Sequence, residues 1–160
     1  MINRERMASE FMELVQISSP SRRELPMAQR LIPTLEALGA QVEVDDAGGR
    51  IGGDTGNVLG RISGTAPSAP PLLLCAHMDT VVPCQNIRPV AQGDVIRTDG
   101  TTVLGGDDKA GIVAILEAVR VARERIGPFG NKWRQRIRGR YRKTPGSRSM
   151  TPISLGNTPI

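Results

Sequence analysis

A chain of 160 residues has room for one domain with a real core and not for two ordinary ones. Only four residues are aromatic (Phe11, Phe129, Trp133 and Tyr141), so the core falls to Val, Leu, Ile, Ala and Met, and two cysteines are too few for a disulfide framework. The net charge of +5 is unevenly laid out: residues 1–126 carry 13 Lys/Arg against 16 Asp/Glu, whereas 127–160 carry 8 Lys/Arg and no acid.

In chain order, Met7, Phe11, Leu14, Val15 and Ile17 recur at three and four and predict an amphipathic helix over Asn3–Ile17. "SSPS", Ser18–Ser21, breaks it, and Ser21 with Glu24 offers a capping box for a second helix over Glu24–Leu38. Pro26 is harmless in its first turn, Pro33 is expected to kink it, and Gly39 to end it. "QVEVDD" suits a strand, "AGGRIGGDTG" a turn-laden loop, and "NVLGRI" a second strand. "LLLCA", residues 72–76, is an uninterrupted apolar run, the pattern of a strand buried on both faces, in which Cys75 reads as a small buried hydrophobe. "DVIRTDGTTVLG" predicts a hairpin turning at Asp99-Gly100. From Lys109 to about Arg125, Ile112, Val113, Leu116 and Val119 form a helical apolar stripe. Strands alternating with helices predict an α/β fold with a central sheet and flanking helices. The segment 127–160 has no helical or strand period and is rich in Pro, Gly, Ser, Thr and basic residues, which predicts a disordered tail. With no signal peptide and no apolar run near the ~20 residues that span a bilayer, the expectation is a soluble, cytoplasmic protein without membrane contact.

Two fragments can carry chemistry. In "AHMDT", His77 and Asp79 are two apart just past a strand, so in extended chain they point the same way. A carboxylate bonded to an imidazole fixes its tautomer and raises its basicity, as metal ligands require. A lone histidine at a strand end is more often structural, because a metal needs several convergent donors. In "LGGDDKAG", Asp107 and Asp108 stand between a glycine pair and a helix start. Alone, such a pair is more often a helix cap that complements the dipole by ~0.3–1 kcal/mol; beside His77 and Asp79 the balance turns towards a site.

"LLLCAHMDTV" followed by "DGTTVLGGDDKAGIVAILEA", with "SSPS" and "GDTGNVLGRI" before them, resembles the peptidase T-like branch of the metallopeptidase superfamily that includes aminoacylases, acetylornithine deacetylase and succinyl-diaminopimelate desuccinylase. The resemblance covers roughly residues 4–126. It implies the N-terminal part of a zinc-peptidase-like catalytic domain over 1–126, with 127–160 outside the family pattern. It further implies His77 as ligand of one of two divalent ions, Asp79 as the residue orienting that ligand, and Asp107 rather than Asp108 as the carboxylate bridging both ions. A cis peptide just after Asp107, helped by Gly105 and Gly106, is also implied. The implied ions are zinc, with cobalt or manganese as alternatives, and the implied substrates are short peptides, tripeptides foremost; a related amidohydrolase or carboxypeptidase is the runner-up.

The resemblance stops early. Relatives complete the site with a Glu-Glu pair, another acidic ligand and a late histidine, and after Glu124 this chain contains no Asp, Glu or His. The expectation is a truncated chain with little or no peptidase activity alone. A rival reading takes the basic segment, with Trp133 and Tyr141, as a noncatalytic module binding nucleic acid through phosphate attraction and stacking, but basic tails adhere to polyanions whether or not binding is selected.

Overall fold

The computed structural model describes residues 1–64, 68–126 and 150–156. Helix α1, Arg4–Val15, starts at Asn3, whose side chain accepts from the Arg6 N–H, and its Leu14 and Val15 are buried. Helix α2, Leu25–Ala37, carries Pro26 in its first turn and runs on through Pro33. It ends as the glycine predicts: Gly39 adopts φ 79° and donates to Glu36, while the Ala40 N–H reaches back to the Leu35 carbonyl. These two bonds close a Schellman motif and satisfy the last carbonyls of the helix.

Strands β1, Gln41–Val44, and β2, Val58–Ser63, pair antiparallel with Val44 opposite Val58. Between them the expected loop contains a short helix, α3, Ala47–Ile51. Its cause is Asp45, whose carboxylate accepts from the N–H groups of Ala47 and Asn57 and from the Asn57 side-chain amide. Gly52 closes the turn at φ 73°, and Gly48 lies so close to the Thr55 carbonyl that no side chain fits there.

Strand β3 is shorter than the apolar run predicts, Leu74–His77, and it is not buried on both faces. Leu72, Leu73 and Cys75 are exposed, and the buried cysteine is Cys84. Among the described residues α4 packs on one face of β3, so alternate side chains go to the core and to solvent. The hairpin also shifts: β4, Val90–Gln92, and β5, Val95–Arg97, turn at Gly93-Asp94. Gly93 has φ 60° at the first of the two turn residues, where a type II′ hairpin needs glycine. Asp99 and Gly100 instead form a bend in which Asp99 Oδ1 accepts from both the N–H and the hydroxyl of Thr101.

Helix α4, Gly106–Ile126, becomes regular only after Asp108, since Asp107 and Asp108 have non-helical backbone angles. Its Ile112, Val113, Leu116 and Val119 join Leu14 of α1, Met27, Leu31 and Leu35 of α2, Val58 of β2 and Ala76 and Met78 in and after β3 in one core. Each Val, Leu, Ile or Met side chain among them contributes ~1.5–3 kcal/mol when fully buried. Within the segment read as an aperiodic tail, Met150–Gly156 forms β6; residues 127–149 and 157–160 lie outside the described residues. Strand β6 sits between β2, antiparallel, and β3, parallel, giving the mixed sheet order β1-β2-β6-β3. Among the described residues no helix is long and apolar enough to cross a membrane.

Candidate functional site

The carboxyl end of β3 delivers the first half of the site. Ala76 and Met78 are buried, which turns His77 the other way and leaves its imidazole partly open. The chain then leaves the strand and buries Asp79, 4% exposed, against the ring it follows. His77 Nδ1 lies 2.9 Å from Asp79 Oδ1 and 3.1 Å from the Asp79 carbonyl. Acceptors thus hold Nδ1 from the buried side; when the ring is neutral, they compete for its one proton with whatever faces Nε2, and a cation at Nε2 would leave that proton on Nδ1.

The start of α4 delivers the second half. The Asp107–Asp108 peptide is cis, where the resemblance implies one. Gly105 stands before it at φ 75°, and a side chain there would meet Thr80 at 3.3 Å and the Lys109 ammonium at 3.7 Å. Gly106 has open space around it and no unusual φ, so only Gly105 is required by the geometry. Asp107 Oδ1 reaches 2.9 Å from His77 Nε2 while its side chain is 94% exposed. Asp108 turns inward, and its Oδ1 accepts from the Gly111 N–H at 3.1 Å, the N-cap bond of the regular helix. The adjacent carboxylates thus face different ways, Asp107 towards His77 and Asp108 into the first turn of the helix.

Burial lowers the proton affinity of His77, but the hydrogen bond to Asp107 and the charges of Asp79 and Asp107 outweigh it, so the imidazole titrates above its ordinary value. Lys109, beside the acidic pair, is fully buried, and burial pushes its ammonium down to about 8. Its Nζ donates to the Ile17 carbonyl at 2.9 Å.

Sequence reasoning assigned Ser21 and Glu24 to a capping box, and the structure corrects this. The N-cap of α2 is Glu24, with no side-chain cap bond, and its Oε1 accepts from the Arg22 N–H. Ser21 instead donates its hydroxyl to Asp79 Oδ2 at 2.5 Å. Arg22, at φ 70°, turns the chain sharply between them, and Ser21 reaches Asp79 while Glu24 bonds back to the Arg22 N–H. The only signal for this in the sequence was the hydroxyl-rich break "SSPS", which names the residues but not their target.

His77 Nε2 and Asp107 fit a divalent cation in part: an imidazole nitrogen backed by a buried carboxylate and an exposed carboxylate are the right donor chemistry. They are two donors, and among the described residues no group of three or more His, Cys, Asp or Glu converges on one metal position.

This α/β unit superposes on solved structures of an aminopeptidase and a tripeptidase. The aminopeptidase PepT of Bacillus cereus ATCC 10987 superposes with a TM-score of 0.79 at 32% identity, over 96% of this chain and 36% of its own. A tripeptidase of Staphylococcus aureus Mu50 superposes with a TM-score of 0.76 at 35% identity, over 98% and 37%. Among curated sequences, the YqjE protein of Bacillus subtilis (strain 168) is 40% identical over 124 residues, 78% of this chain and 33% of its own length. No family model matches the chain. The chain is a peptidase T-like segment corresponding to the N-terminal portion of that family's fold. It spans about a third of the length of the relatives it matches.

Proposed function

We propose that residues 1–126 are the N-terminal part of the catalytic domain of a two-metal aminopeptidase acting on short peptides, tripeptides foremost. The observation that carries this reading is the line Asp79, His77, Asp107, in which a buried carboxylate backs Nδ1 and an exposed carboxylate meets Nε2. The aminopeptidase and tripeptidase names of the two superposed structures support the substrate class.

In this reading His77 and Asp107 would hold a divalent ion, zinc first and cobalt or manganese next, and Asp107 would share a second one. Such ions supply Lewis-acid polarisation of the scissile carbonyl and activation of water. The chain's own part is narrower. Asp79 keeps the imidazole proton on Nδ1, the cap bond of Asp108 fixes where α4 begins, and Gly105 lets Asp107 approach β3. With only two donors converging among the described residues, the chain alone is expected to bind metal weakly and to turn over no substrate.

The test pairs binding with turnover. Zinc, cobalt or manganese is titrated into the full chain and into His77→Ala, and tripeptide hydrolysis is followed in parallel. Binding that His77→Ala abolishes, without turnover, supports the reading. Binding indifferent to His77→Ala removes the metal assignment, and turnover that His77→Ala abolishes refutes the inactivity of the isolated chain.

A further inference from the structure

Beneath the site, residues 17–21 form a strap that touches both of its halves. Ile17 accepts from Lys109 at the start of α4. Ser19 bonds the end of β3 twice, its hydroxyl donating to the Met78 carbonyl at 2.8 Å and its own carbonyl accepting from Thr80 N–H at 2.9 Å. Ser19 is fully buried, so these bonds are shielded from water and fix the path of the strap. Ser21, next along, has the hydroxyl that reaches Asp79.

We propose that Ser21 is a positioning residue of the site: its hydroxyl holds the Asp79 carboxylate in the rotamer that keeps Oδ1 on His77 Nδ1, and so keeps Nε2 as the metal-facing lone pair. The physical case starts from burial. A carboxylate that is 4% exposed must find donors for both oxygens. Oδ1 has the imidazole and Oδ2 has Ser21. The terminal torsion of an aspartate is soft and broad, so the ring alone does not define the carboxylate plane. A second donor on the opposite oxygen does. Glu24 lies near enough for like charge to matter: burial first, and the Asp79 charge with it, hold its carboxyl above the ordinary range. Ser21 supplies the neutral donor in a neighbourhood with an excess of carboxylates.

The use made of Nε2 rests on the metal reading above; the positioning role does not. Partners one step behind a metal ligand typically contribute ~10–100-fold in affinity, and Ser21 acts one bond further out, so about 3–10-fold is expected.

His77 is the only histidine in the chain, which makes its ring nitrogens assignable without ambiguity. Long-range proton–nitrogen NMR of the full chain, at a pH where the ring is neutral, reads the tautomer directly. The wild type should show the proton on Nδ1, Ser21→Ala a mixture of both tautomers, and Ser21→Thr, which keeps the hydroxyl, the wild-type pattern. Ser18→Ala removes another strap hydroxyl, one that lies 3.8 Å from Cys84 Sγ, and should leave the tautomer unchanged. Zinc added to the same samples should show a midpoint about 3–10-fold higher for Ser21→Ala. Should Ser21→Ala fail to fold, judged by its amide spectrum, Ser21→Cys keeps the volume with a weaker donor and should show the same tautomer shift in part. Identical tautomers in wild type and the Ser21 variants overturn the proposal, as does an equal shift in Ser18→Ala. If zinc leaves the wild-type ring signals untouched, the metal reading fails while the tautomer comparison still decides the role of Ser21.

Discussion

The Lys109 ammonium, at the start of α4, donates to the Ile17 carbonyl just past α1, joining two segments 92 positions apart through a side chain that is fully buried. The stem packs like an apolar residue while the head donates to the Ile17 carbonyl. Removing the stem and removing the head should therefore have separable costs. Lys109→Met keeps most of the volume and orphans Ile17, a loss of ~1 kcal/mol offset in part by no longer burying a charge. Lys109→Ala adds a cavity and should lose a further ~2–3 kcal/mol. Urea unfolding midpoints of the two variants measure the difference, and equal midpoints would show that the stem contributes nothing.

Glu10 of α1 receives both Arg120 terminal nitrogens, at 2.5 and 2.6 Å, and is 5% exposed. This is a forked pair holding α1 on α4, and it is costly to break from one side. Glu10→Ala should lose ~3–5 kcal/mol by leaving the guanidinium unpaired in the interface. The double variant Glu10→Leu/Arg120→Met should recover most of that loss. A double variant as unstable as the sum of the singles, in the same urea series, would mean that the apolar parts of the interface cannot close without the pair.

Asp45, just past β1, accepts two bonds from Asn57, just before β2, and one from Ala47 of α3, and its acidity responds. Burial opposes ionisation, but the hydrogen bonds from Asn57 and Ala47 outweigh it and hold the carboxyl below its ordinary 3.8. A folded-state pKa below the unfolded one means the unfolded chain binds the proton more readily. The contribution is therefore complete well above 3.8 and fades as pH falls through the lowered folded value. Asp45→Asn should be less stable than wild type at pH 6, and the gap should narrow on acidification below about 3.8. A gap constant from pH 6 to pH 3 would place the effect in packing rather than in charge.

The sequence made the periodic elements readable and the long-range polar contacts nearly invisible. Helices α1, α2 and α4 follow from apolar spacing and from Gly39, because those signals are local and repeat several times within one element. The run "LLLCA" misled because an apolar run reports hydrophobicity, not which neighbours exist to cover it; Leu72, Leu73 and Cys75 are exposed among the described residues. The hairpin shifted because Gly93 and Gly100 both take positive φ, and composition does not say which one the strand pairing selects. At the site, His77 and Asp79 were legible through their spacing of two, and Asp107 through the residues that resemble a known pattern. Ser21 was not, since a serine before a helix is nearly always read as a cap, and its true partner lies 58 positions away.

Asp107 and Asp108, adjacent in sequence but with different partners, should separate cleanly on mutation. Asp108 accepts from Gly111 and caps α4, so Asp108→Ala should lose ~1 kcal/mol of stability. Its effect on zinc binding should stay within about twofold, because capping acts on the helix and not on the donors. Asp107→Ala should behave in the opposite way. Its side chain is 94% exposed and meets only the His77 ring in the described contacts, so stability should change by less than ~0.5 kcal/mol. Zinc binding should nonetheless fall about tenfold or more, since one of two donors is gone. Thermal unfolding and zinc titration of both variants give a two-by-two comparison. If Asp108→Ala weakens zinc binding as much as Asp107→Ala does, then the two carboxylates act together and the division of labour between them is wrong.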